Sequence, residues 1–263
     1  MNAERGLHLA LWDCRGLETE DDVVDLALIV REVGLLPAGG YSGDETFPLE
    51  PVADVEGCVR AQHWDMAARY PEARATHLQT IHDWGFALVR PATPETSSAM
   101  RVEIKHPSIW AVHVVAYEWP QPEGETIEAF GDAWGSLFEA CGMRIYQRAR
   151  PVLAAISTMG DPDEDIWRSP NYSKAVPRRD LIVGWRTWFG PPYADKFGRE
   201  WLINLPDRAT ELDDGGIFHA LSAPASAVSR GDWSAFDAVE SYLEQHKVDT
   251  RWPRFRARRC RRG

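Results

Sequence analysis

The run LIVGWRTWFGPPYADKFGREWLINLPDRATELDDGGIFHALSA, residues 181–223, decides the fold. Leu181–Phe189 reads as a strand, because it is short, apolar and rich in β-branched and aromatic residues. Pro191-Pro192 opens a helix, since proline has no N–H to lose in the first turn. Tyr193, Phe197 and Trp201 then recur at i, i+4 and i+8 on one face, and Pro206 stops the helix. From Ala209 to Ala223 the pattern is a hairpin with Asp214-Gly215 as its two-residue turn. Beyond it, Asp232 caps a helix carrying Trp233, Phe236, Val239 and Leu243 on its core side. The order is β-α-β-β-α.

Upstream, SIWAVHVVAYEW (Ser108–Trp119) is apolar on both faces and predicts a central, fully buried strand. ETIEAFGDAWGSLFEACG predicts a helix with Ile127, Phe130, Trp134, Leu137, Phe138 and Cys141 in one stripe and Gly142 at its end. MRIYQRARPVLAAI (Met143–Ile156) follows as a strand interrupted at Pro151. At the start, Leu7–Asp13 alternates as a strand. Thr19-Glu20-Asp21-Asp22 then resembles a capping box, with Val23, Leu26, Ala27 and Val30 at helical spacing and Gly34 as the left-handed stop. Residues 37–51 read as a loop and 52–83 as weakly patterned helix. FALVRP and MRVEIKHP read as two short strands around the turn PATPETSSA. The expected fold is therefore α+β, with a mixed, largely antiparallel sheet and helices packed mainly on one face. Residues 1–250 form a single domain, divisible into sub-halves 1–107 and 108–250. The Arg-rich tail, 251–263, is expected to be disordered.

The 263 residues include twelve Trp, nine Phe and seven Tyr, ample apolar area to order a core and exclude a disordered chain. No run of 18 apolar residues is present, and charges interrupt the first 25 residues, so neither a spanning helix nor a signal peptide is expected. The expected location is the cytoplasm. Net charge is −11, but the tail holds seven Arg and no acid, leaving 22 basic against 40 acidic residues in the body. A body at −18 repels nucleic acid and anionic membranes and attracts cationic partners. The basic tail is the one segment suited to nucleic acid.

No catalytic motif is complete. Cys14, Cys58, Cys141 and Cys260 are too far apart for a C-x-x-C zinc or redox site and read as reduced thiols. Asp161, Asp163 and Asp165 alternate as in a calcium loop, yet its glycine and glutamate positions hold Ile166 and Tyr172. Gly39-Gly40-Tyr41-Ser42-Gly43 lacks the final glycine of a nucleophile elbow, which is Asp44, and the lysine of a phosphate loop. His77 and His82 are five apart, not the four of a helical zinc pair. Asp83 could orient His82 as a base, which leaves a hydrolase with a non-contiguous site as an alternative. His113 and His219 read as core histidines. Arg186, between Trp185 and Trp188, reads as an Arg stem over core aromatics, with a partner surface as the other option. No cofactor or metal is expected.

The strand and helix of GWRTWFGPPYADKFG, then the hairpin DDGGIFHALSA and the helix begun by Arg230-Gly231-Asp232, resemble the type VI immunity family over residues 108–246. The matching features are a tryptophan-bearing strand (Trp185) leading to a helix with a Phe-Gly pair (Phe197-Gly198). Pro191-Pro192 and the Arg-rich tail depart from the pattern, and the first 100 residues show no match. The resemblance implies a non-enzymatic bacterial immunity protein, antitoxin-like, that binds and neutralises a cognate toxin of interbacterial competition. An acidic body suits a basic toxin, with a nuclease as one candidate. For such a partner, the loop residues Asp161, Asp163, Glu164 and Asp165 with Trp167 are the first expected contact, and Asp213 and Asp214 at the hairpin tip the second. An assembly subunit gripping its partner through the basic tail is a further alternative.

Overall fold

A computed structural model describes residues 6–17, 19–34, 36–38, 53–61, 63–65, 82–90, 93–106, 109–117, 127–159, 183–225, 227 and 234–245. In chain order these form β1 (Gly6–Trp12), α1 (Glu20–Glu32), β2 (Leu36–Ala38), α2 (Val55–Ala61), β3 (His63–Asp65), β4 (His82–Arg90), β5 (Thr93–His106), β6 (Ile109–Tyr117) and α3 (Ile127–Ala149). After them come β7 (Leu153–Met159), β8 (Arg186–Phe189), α4 (Pro191–Phe197), α5 (Arg199–Ile203), β9 (Arg208–Glu211), β10 (Ile217–Ala220) and α6 (Ser234–Gln245).

The strands make one sheet in the order β2-β4-β5-β6-β1-β7-β8-β10-β9. Since β5 takes one edge of β4, β2 and β3 share the other, opposite Ala87–Val89 and His82–Trp84. Every pairing among the described residues is antiparallel. The protein is an α+β protein, as its pattern implies. β1 lies between β6 and β7, and Leu9, Ala10 and Leu11 are fully buried, the signature of a strand covered on both faces.

Register sorts the core into two faces. Ile156, Arg186 and Ala220 form one row, and Ala154, Trp188 and Phe218 the next on the same face. Ala155, Thr187 and His219, then Leu153, Phe189 and Ile217, lie on the other. α3 crosses the first face: Gly142 meets the Trp188 ring so closely that a Cβ there would lie 2.6 Å from it. On the second face Tyr193 of α4 stacks on Phe189 at 5.8 Å, and the Pro206 carbonyl after α5 reaches His219 Nε2 at 2.7 Å. At this end of the sheet helices therefore lie against both faces. The cause is Pro191-Pro192, which turns the chain into a helix immediately after Phe189.

Local sequence explains most boundaries. Thr19 caps α1 as a full capping box, its hydroxyl and backbone both engaging Asp22. Gly34 takes the left-handed position after the helix (φ 94°). α1 is tied to α3 by Arg148, which pairs with Asp22 and Asp25.

Other expectations are corrected. α3 runs through Gly142 to Ala149, so the strand expected over 143–156 is confined to Leu153–Met159. The stop is Arg150 in the left-handed region (φ 46°) with Pro151 behind it. PATPETSSA is mostly strand, because β5 begins at Thr93. Within 52–83, only Val55–Ala61 is helix among the described residues, while His63–Asp65 and His82–Asp83 are strand. Leu181 and Ile182 lie outside the described residues, and the strand proper starts at Arg186. The single helix expected from Pro191 is broken into α4 and α5 by Gly198 (φ 98°). The hairpin loop is Leu212–Gly216, longer than two residues. Asp232 lies outside the described residues.

Candidate functional site

Two side chains hold the tip of the β9–β10 hairpin. Asp214 Oδ1 accepts the Gly216 N–H at 2.8 Å, and its Oδ2 accepts the Tyr146 hydroxyl at 2.9 Å. Tyr146 is a core residue of α3, 2% exposed. Burial, followed by the adjacent Asp214 charge and hydrogen bond, pushes its phenol well above the ordinary tyrosine range, so it remains a donor. Gly216 is required here, because a Cβ would stand 2.1 Å from the Tyr146 hydroxyl and 2.9 Å from the Phe189 carbonyl. From the other side, Arg199 of α5 donates Nε to Asp195 at 2.8 Å and Nη1 to Glu211 at 3.3 Å. The same Nη1 reaches the Gly215 carbonyl. Gly215 itself is left-handed (φ 79°), as the turn demands.

The tip is therefore rigid and acidic. Asp213 and Asp214 are exposed, and Asp195, Glu200 and Glu211 are exposed nearby. Of the expected contact residues, Asp214 has both carboxylate oxygens committed internally, which leaves Asp213 as the outward group. The primary expected contact, Asp161, Asp163, Glu164, Asp165 and Trp167, lies outside the described residues, as do His77 and the tail 251–263.

The Trp/Arg cluster is not part of an exposed site. Trp185 is 3% and Trp188 0% exposed. Arg186 lies over the Trp185 ring at 3.7 Å, donates Nε to Glu139 at 2.6 Å and gives Nη1 to the Leu221 carbonyl at 2.7 Å. The Trp185 indole N–H goes to the Ala223 carbonyl at 2.7 Å. This cluster fastens α3 to the segment after β10, so the Arg stem over core aromatics is the reading that holds.

His219 is fully buried and bonded to Pro206 through Nε2, with Nδ1 unpartnered. Burial holds its pKa below the usual histidine value, so it is a neutral core imidazole. His82 and Asp83 are consecutive positions of β4. Cys14 and Cys141 are buried, and burial pushes the Cys141 thiol up to about 12. Among the described residues, no three His, Cys, Asp or Glu side chains converge as a metal site, and no helix is long and apolar enough to cross a membrane.

No family model, curated protein or solved structure matches this chain.

Sequence reasoning missed Tyr146 and Arg199 as the residues that fix the tip. Tyr146 falls within the segment expected to be strand. Arg199 carried a signal in its i, i+4 spacing from Asp195, which the structure uses.

Proposed function

We propose that this chain is a non-enzymatic immunity protein of the antitoxin type, which binds a basic cognate toxin in the cytoplasm and neutralises it. The observation that carries this reading is the hairpin tip. Its outward carboxylate, Asp213, stands on a loop locked by Tyr146, Gly216 and Arg199. A locked loop loses little freedom on binding, so its electrostatic attraction is retained as affinity and speeds encounter with a cationic surface. The acidic body, at −18 without its tail, adds long-range attraction of the same sign. Asp161, Asp163, Glu164, Asp165 and Trp167 would supply the second half of the contact, charge from the acids and an aromatic anchor from Trp167.

The test is co-expression with the toxin encoded beside the gene, scoring survivors. Wild type should protect. Charge reversal of the four loop acids together with Asp213→Lys should lose protection, whereas His82→Ala should protect like wild type. Loss of protection in His82→Ala, with full protection by the charge-reversed variant, would overturn the binding reading in favour of a hydrolase.

A further inference from the structure

His219 is fully buried on β10, opposite Thr187 of β8 and Ala209 of β9. Its Nε2 lies 2.7 Å from the Pro206 carbonyl. A carbonyl can only accept, so Nε2 carries the proton and Nδ1 holds a lone pair. That Nδ1 is buried, without a partner among the described residues. A second proton would make the ring a buried cation with a new N–H to satisfy, which a closed apolar interior opposes. Burial, the largest influence, holds the ring below its ordinary 6.5. The Pro206 bond and the Asp207 charge act the other way, and Arg186 acts with burial. The facing Thr187 and Ala209 carry no charge. Asp195 and Lys196 of α4, Glu200 of α5, and Arg208 and Glu211 of β9 are exposed, while Arg199 of α5 is turned to the hairpin tip.

The segment that His219 holds, Asn204–Asp207, joins α5 to β9. Leu205 within it is buried, and Asp207 accepts the Ser222 N–H at 3.1 Å and the Ser222 hydroxyl at 3.0 Å. Asp207 makes these bonds from the left-handed region (φ 72°), which a residue other than glycine keeps only while its surroundings impose it. Upstream, α5 is five residues long and follows Gly198 (φ 98°). Its first residue, Arg199, bonds Glu211 and the Gly215 carbonyl at the hairpin tip. With its far end freed, so short a helix would pivot at Gly198 and draw Arg199 from the tip.

We infer that His219 and the Asn204–Asp207 connection form an acid-sensitive latch. When the imidazole takes up a second proton at Nδ1, the connection lifts from β10 to hydrate the cation, and α5 releases the hairpin tip. The open ring titrates at the ordinary 6.5 and the closed ring below it. The latch is therefore fully closed above pH 6.5 and loosens as pH falls from there toward the closed-state value. This inference does not depend on the toxin-binding reading.

The test is amide hydrogen exchange on the full-length protein at pH 7.5 and pH 5.0, expressed as protection factors so that the intrinsic pH dependence of exchange is removed. The Ser222 amide, bonded to Asp207, reports the connection, and the Leu212 amide, bonded to the Gly216 carbonyl, reports the tip. Ala10 of β1, paired on both sides, reports the fold as a whole. Protection at Ser222 and Leu212 should fall by more than about threefold at pH 5.0, toward a limit of about 30-fold set by the distance from 6.5, while Ala10 is unchanged. His219→Gln keeps an N–H for the Pro206 carbonyl and cannot become charged, so its protection should be the same at both pH values. Asp207→Asn removes the other titrating group of the latch and should retain the acid response. Constant protection at either Ser222 or Leu212 in the wild type would overturn the inference. So would a response that survives His219→Gln, or one that disappears in Asp207→Asn, which would assign it to the carboxylate.

Discussion

Replacing Tyr146 by phenylalanine removes one hydroxyl and leaves the ring in place. The bond lost is 2.9 Å long and ends on an ionised carboxylate, where such bonds contribute about 1.5–3 kcal/mol. Asp214 is exposed, so water replaces part of what is lost, and the lower end, about 1.5 kcal/mol, is expected at neutral pH. For a chain of this size that corresponds to about 3–6 °C in melting temperature. The pH dependence gives a sharper test. The folded phenol is held above its ordinary value of 10, so its contribution is fully present below pH 10 and is lost as pH rises toward the folded value. Above pH 10 the wild type loses about 1.4 kcal/mol per pH unit relative to Tyr146→Phe, because only its unfolded state releases that proton. The two stability curves should converge and cross near pH 11. Guanidinium unfolding at a series of pH values from 8 to 11.5 measures both curves. Parallel curves across that range, or equal stability at pH 8, would refute the role assigned to Tyr146.

Two other substitutions follow from the core. His219 is held below its unfolded value of 6.5, so its contribution is present above that pH and is lost as pH falls beneath it; His219→Gln should flatten the acid limb of the stability curve. Gly142→Ala should raise helix propensity by about 1 kcal/mol yet lower stability by about 1–2 kcal/mol net, through the clash with Trp188, as read from the denaturation midpoint.

The sequence was most informative where local chemistry decides the outcome. Thr19 with Asp22, Gly34 and Pro191-Pro192 act within a few residues of themselves, and the structure uses each as its pattern implies. Gly142 misled because glycine ends helices when nothing else needs it. Here the missing side chain makes room for Trp188, 46 positions further on, and the true stop is Arg150 before Pro151. The polar run Thr93–Ala99 reads as a turn, yet β4 pairs with it at Thr93 and Ser97–Ala99, β6 joins at Ser98 and Ala99, and these ladders impose strand. At the candidate site the two aspartates were visible as a turn signal. Their anchors were not, since Tyr146 and Asp214 stand 68 residues apart and no local pattern joins them.

The position of β1 bears on how the chain is made. β1 leaves the ribosome well before either of its partners, Ala111–Tyr117 and Leu153–Met159. Synthesis must reach Met159 before the middle of the sheet can close. Until then an apolar segment, Leu9 to Trp12, has no native neighbour to pair with. Contacts so distant along the chain slow folding and lengthen the exposure of strand-forming surface to other molecules. Newly made protein should therefore be most dependent on chaperones after Trp12 and before Met159 has emerged.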